Sequence, residues 1–163
     1  MSLFYGIRVS RPQALLAGLG QIASSTPVFN LYISRLASFE RRIIYLRIRR
    51  CREMMQLQRK VRELAQAIGA DLPGLPKRYD AEPPSAVELK NIRQWGSYHS
   101  FVPHITLANN LEPDEHRRAC EVGQELFSGL DRHVLADEIT CSLFSEHSGF
   151  PEKLESFKLA PAR

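Results

Sequence analysis

The sequence predicts an α+β fold, and three observations carry that prediction. Two neighbouring runs alternate apolar and polar residues with period two, apolar stripes at helical spacing flank them, and an order of strand, helix, strand, strand recurs in the second half. Residues 4–10 (FYGIRVS) read as a short strand. Pro12 opens a helix over 12–23, because Leu15, Leu16, Leu19 and Ile22 share a face and proline is tolerated in a first helical turn. From Val28 the period becomes two: Phe29, Leu31 and Ile33 alternate with Asn30, Tyr32 and Ser34. Beyond a turn at Glu40-Arg41-Arg42, Ile44, Leu46 and Ile48 alternate with Tyr45, Arg47 and Arg49, so an antiparallel hairpin is the simplest pairing.

From Cys51 the spacing is helical again, with Met54, Leu57, Val61, Leu64, Ala65 and Ile68 in one stripe and Gly69 as its cap. Residues 70–86 hold four prolines and a Pro-Gly, which predicts irregular chain, and a short helical piece follows over 85–94. Phe101–Leu107 reads as a strand, 112–129 as a helix opened by Glu112-Pro113-Asp114, and 134–145 and 153–160 as two closing strands. No domain-sized linker interrupts the chain. The expectation is one domain over 1–163, with lobes near 1–69 and 85–163 joined by the proline-rich connection 70–86.

Composition narrows the function classes. Of the residues, 44% are apolar and 25% charged, which suits a packed core, and no apolar run approaches the ~20 residues of a membrane span. The first residues lack a basic region followed by an apolar run, so a cytoplasmic location without membrane attachment is expected. Three cysteines, Cys51, Cys120 and Cys141, are far apart and odd in number, which predicts reduced and mostly buried thiols. No two histidines have helical zinc spacing, so neither a metal nor another cofactor is expected. Lys and Arg total 22 against 18 Asp and Glu, a net charge of +4. Nine of the basic residues fall between Arg41 and Arg62 against a single acid, Glu53. Arg47 and Arg49 share a strand face with Tyr45, which gives either an RNA-backbone surface or the solvated face of a hairpin.

Candidate chemistry sits in Tyr98-His99-Ser100-Phe101-Val102-Pro103-His104-Ile105-Thr106-Leu107. Strand alternation places His104 and Thr106 on one face, and Ile105 and Leu107 on the other to anchor the strand in the core. His99 lies in the loop entering the same strand. His116 reads as a solvated helix position, and His133 and His147 as turn residues.

The stretch FVPHITLANNL, the acid-started helix behind it and the closing EITCSLFSEHSGFPEKLESFKL together resemble the C-terminal half of the two-histidine (2H) phosphoesterase superfamily. That superfamily includes 2′-5′ RNA ligase-like proteins and cyclic phosphodiesterases. The resemblance runs over about residues 4–161, and it implies two pseudo-symmetric lobes of antiparallel sheet with helices on the outer faces. Each lobe would contribute one His-x-Thr or His-x-Ser strand to a cleft. It further implies metal-free hydrolysis of a 2′,3′-cyclic phosphate or a related nucleotide or RNA phosphodiester. His104 would be one acid/base residue, Thr106 a phosphate ligand, and Tyr98, His99, Arg47 and Arg49 substrate-binding residues.

One departure stands out. The strand at 4–10, where the first His-x-Thr belongs, contains no histidine. The missing motif is either degenerate in this chain or encoded upstream of Met1. The alternative function is therefore a catalytically degenerate member that binds RNA or a nucleotide. A first lobe lacking its opening strand would expose a sheet edge that a homodimer could cover. No protein partner is indicated.

Overall fold

The computed structural model describes residues 9–39, 42–69, 102–144 and 151–162. The expected strand at 4–10 except its last two residues, the turn residues Glu40 and Arg41, the connection 70–86, the helical piece 85–94, and Tyr98, His99, Phe101 and His147 lie outside them. Among the described residues the order is α1 (Pro12–Ser24), β1 (Phe29–Phe39), β2 (Ile43–Ile48), α2 (Arg52–Ala67), β3 (His104–Ala108), α3 (Pro113–Ser128), β4 (His133–Ala136), β5 (Glu138–Phe144) and β6 (Pro151–Lys158). The fold is mixed α+β with antiparallel sheet pairing, as the alternations predict. No helix among the described residues is long and apolar enough to cross a membrane.

Two compact units emerge, and each takes segments from both sides of the 70–86 connection. The first holds residues Phe29–Arg52 and Val102–Ala136 and contains a four-stranded sheet of order β3-β2-β1-β4. One face of this sheet is a core. Phe29, Leu31, Ile33, Ile44 and Ile48 are buried there, and α3 packs against β1 and β2 so closely that a Cβ on Gly123 would stand 3.0 Å from Leu36 Cδ2. Helix α3 starts where the sequence indicates: the Glu112 backbone N–H donates to Glu115 Oε2 at 2.9 Å in a capping box, and Pro113 occupies the first turn.

In the four-stranded sheet the alternation breaks in two places, each by one extra residue. On β1 the register passes from Ile33↔Ile48 to Arg35↔Arg47, so a bulge at Ser34 reverses the phase of everything after it. On β3 it passes from Tyr45↔Thr106 to Ile44↔Ala108, so Leu107 is the bulged residue. Leu107 was expected in the core but is 52% exposed, because the extra residue is left out of the pairing. The strand expected over 134–145 is two strands that meet at Asp137: β4 pairs with β1, and β5 pairs with β6. His133 is accordingly the first residue of β4, not part of a turn.

The second unit holds α1, α2 and the β5–β6 hairpin. Helix α1 ends in a run of hydroxyls that satisfy its last carbonyls: Ser24 Oγ donates to Gln21 O, and both Ser25 Oγ and Thr26 Oγ1 donate to Ile22 O. Glycine lets α1 approach α2, since a Cβ on Gly18 would fall 2.4 Å from Leu64 Cδ1. Met54, Leu57, Val61 and Ala65 of α2 are buried as the stripe predicts, and Gly69 takes φ +68° past the helix end. Gln58 is also fully buried there, a polar residue that periodicity did not single out.

Between β4 and β5, Asp137 accepts an ion pair that tests the ladder's end. Lys158 Nζ lies 2.9 Å from Asp137 Oδ2 and 3.3 Å from Glu138 Oε2. The hydrogen bond and charge of Lys158 lower the Asp137 carboxyl, and the hydrogen bonds to Asp137 and Glu138 raise the Lys158 ammonium. The carboxylate's contribution is therefore present above its unfolded pKa near 3.8 and fades as pH falls through the lower folded value. The ammonium's is present below 10.5 and fades as pH rises through the higher folded value. Both groups are exposed, so the effect is small and salt-sensitive. Asp137→Asn is expected to melt slightly below wild type between about pH 5 and 10 and to approach it as pH falls below 3.8 through the lower folded value. Thermal melts across pH check this; a gap that persists in acid would assign the loss to something other than the ion pair.

Candidate functional site

His104 begins β3, at the edge of the four-stranded sheet. Pro103 before it has no N–H to donate, yet its carbonyl accepts from Ile48 N–H at 3.0 Å and so ties β3 to β2. The His104 ring is fixed three ways. Nδ1 lies 2.7 Å from Val102 O, and since a carbonyl only accepts, Nδ1 carries the proton and donates. That leaves Nε2 as the nitrogen able to take or give a proton. Phe39 and Tyr45 meet the imidazole edge-on, with centroids 5.5 and 5.3 Å away, and stack on each other at 4.1 Å. Tyr45 is buried, His104 half-buried and Thr106 exposed.

The register assembles the rest. Arg47 of β2 stands opposite His104, and Tyr45 stands opposite Thr106, so four of the residues share one face across two strands. Among the described residues no carboxylate lies within ion-pair distance of Arg47, whereas Arg42 pairs with Glu112 and Arg59 with Glu63. Arg42 and Arg59 are thus neutralised by neighbouring acids, whereas Arg47 is exposed with no acid beside it among the described residues. An imidazole with one free nitrogen, a hydroxyl and an unneutralised guanidinium can bind the oxygens of an anion and exchange a proton with it.

Arg49 lies just past the end of the strand. Strand β2 ends at Ile48, and the Arg49 N–H donates to Tyr32 O at 2.8 Å while its guanidinium carbon lies 5.5 Å from the Tyr32 ring centroid. It sits with Tyr32, on the face that Arg47 shares. His133 pairs with Tyr32 across β1 and β4, its ring edge-on at 5.3 Å. His116, expected to be solvated, is half-buried on α3 with Nε2 3.6 Å from Cys120 Sγ. All three cysteines are free and half-buried, and burial together with the Glu155 charge pushes the Cys141 thiol up. Among the described residues no three His, Cys, Asp or Glu side chains converge as metal ligands would.

Phe39 was the residue that sequence reading missed at this site. It lies past the Ser34 bulge, and only the reversed phase puts it on the His104 face.

A family model described as the 2′-5′ RNA ligase superfamily matches residues 1–140. Among solved structures, one described as "Crystal structure of phosphoesterase" is similar at 18% identity, with 94% of this chain and 71% of that chain covered and a TM-score of 0.54. At that identity the likeness concerns the fold. No curated protein matches this chain.

Proposed function

We propose that this chain, which belongs to the 2′-5′ RNA ligase superfamily, acts on a 2′,3′-cyclic phosphate or a related nucleotide or RNA phosphodiester through the face that carries His104. The observation that supports this most is the pair of neighbouring rungs, Arg47 opposite His104 and Tyr45 opposite Thr106. Thr106 Oγ1 donates to a non-bridging phosphate oxygen, and the Arg47 guanidinium offsets the charge that builds up on phosphorus as water adds. As water attacks, its oxygen bonds to phosphorus, the bond from phosphorus to one ribose oxygen breaks, and that oxygen needs a proton. His104 Nε2 serves at one of the two proton transfers, with Nδ1 held on Val102 O. The donors at this face suit an anion; a hard cation would call for carboxylate and carbonyl oxygens.

One observation favours a second reading, a binding module without turnover. The five histidines of the chain are His99, His104, His116, His133 and His147, so none lies on the strand expected at 4–10, where the resemblance places the superfamily's first motif. Product-resolved chromatography of 2′,3′-cyclic nucleotides and of a cyclic-phosphate RNA end, in EDTA, separates the two. Hydrolysis to the phosphate monoester is expected, with Thr106→Val slower by roughly 10–100-fold, the worth of a hydrogen bond to a charged oxygen. Salt-sensitive binding by a folded protein that makes no product would overturn hydrolysis in favour of the module. A folded protein that neither binds nor turns over these ligands would sink both.

A further inference from the structure

The His104 face does not stop at Arg47. Alternation from Ile33 would turn Arg35 toward the face covered by α3, but the bulge at Ser34 reverses the phase and sets Arg35 directly opposite Arg47. The Ser34 hydroxyl donates to the Arg47 carbonyl at 3.0 Å across this bulge. One rung of the sheet therefore reads Arg35, Arg47, His104 over β1, β2 and β3. Like charges directly opposed on a sheet repel. Among the described residues neither arginine has a carboxylate within ion-pair distance, while Arg42, Arg59 and Arg117 each have one. A repulsive pair kept free of acids, and turned outward by a bulge, fits a face that is completed by an anionic ligand.

The spacing sets the kind of anion. With strands about 4.8 Å apart, Arg35 stands two strands, about 10 Å, from His104. That is the scale of a nucleotide step rather than of one phosphate group. The same face continues to Tyr32, where Arg49 lies over the ring, Arg132 Nη1 reaches the hydroxyl at 3.5 Å, and the exposed His133 meets the ring edge-on. Cations interleaved with rings along one face suit a single strand, whose phosphates meet the cations while its bases find flat partners.

We infer that Arg35 and Arg47 form a subsite for a second phosphate, so that the ligand is the end of an RNA chain lying across the strands from β3 toward β1. This rests on the phosphoester reading of His104 and Thr106. The test compares three ligands by calorimetry on the full chain: 2′,3′-cyclic AMP, the dinucleotide that adds one 5′ nucleotide through an ordinary phosphodiester, and the same dinucleotide with a neutral methylphosphonate linkage. The charged dinucleotide is expected to bind wild type roughly 10-fold tighter than the mononucleotide, with the neutral one close to the mononucleotide. In Arg35→Gln the ratio of the two affinities falls to near one, and the salt slope for the charged dinucleotide drops by about 1. Melting checks the fold: Arg35→Gln should melt at or above wild type, because it removes a like-charge pair.

A dinucleotide preference that survives Arg35→Gln, or that the neutral linkage reproduces, overturns the subsite. If 2′,3′-cyclic AMP binds and the dinucleotide gains nothing, the subsite fails while the phosphoester reading stands. If no ligand binds the folded protein, both fall.

Discussion

Replacing His104 by alanine is expected to lower turnover of 2′,3′-cyclic AMP by about 10²–10⁴-fold, the usual worth of a positioned proton donor or acceptor. The ring's three restraints explain why so much rests on it. Val102 O fixes the tautomer, and Phe39 and Tyr45 fix the plane, so no search over rotamers precedes the proton transfer. Binding should suffer less, because Thr106 and Arg47 remain. A structural loss is separable from a chemical one by the pH–rate profile, in which the limb belonging to His104 disappears in His104→Ala and returns with no conservative replacement that lacks a titratable nitrogen. Steady-state kinetics in EDTA, with circular dichroism to verify folding, decide the matter. If His104→Ala keeps more than about a tenth of the wild-type rate, His104 transfers no proton in the rate-limiting step.

The elements themselves were legible because each rests on a local rule. The stripe of Met54, Leu57, Val61 and Ala65 has one helical period, and Phe29, Leu31 and Ile33 have one strand period. Glu112 and Pro113 mark a helix start wherever they precede an amphipathic run. His104 and Thr106 were legible for the same reason, since two residues apart on a strand is one face. What the sequence did not show were the two places in the four-stranded sheet where period two fails. A bulge is set by pairing with the neighbouring strand, and nothing in Ile33-Ser34-Arg35-Leu36 announces it except that apolar Leu36 falls out of phase with Ile33. That single slip hid Phe39 and Arg35 from the site.

Strand boundaries failed for a related reason. Residues 134–145 carry strand-forming residues on both sides of Asp137, so a local reading runs straight through. The break exists because the residues before and after Asp137 pair with different partners, β1 and β6. Pairing is a long-range property, and only a three-dimensional partner assigns it.

The bulge on β3 makes a stability prediction that alternation alone would get backwards. Strict alternation treats Leu107 as a core anchor of the His104 strand, equivalent to Ile48 on β2. The register instead leaves Leu107 out of the pairing at 52% exposure, whereas Ile48 is 2% exposed, stands opposite Ile33, and carries the N–H that holds β3 through Pro103 O. Ile48→Ala should therefore lower stability by about 2–5 kcal/mol, the lost transfer energy plus the cavity left among Ile33, Leu36 and their neighbours. Leu107→Ala should change it by about 0.5 kcal/mol or less, because water already reaches half of the side chain. Against a total of about 5–15 kcal/mol for an ordinary domain, the first loss is large enough to loosen β3 and the second is not. Urea unfolding of the two variants beside wild type measures both midpoints. Equal losses would mean that Leu107 packs into the core opposite Ile44 and that no bulge separates Thr106 from Ala108; the rungs that join His104 to Arg47 and Thr106 to Tyr45 precede the bulge and would stand in either case.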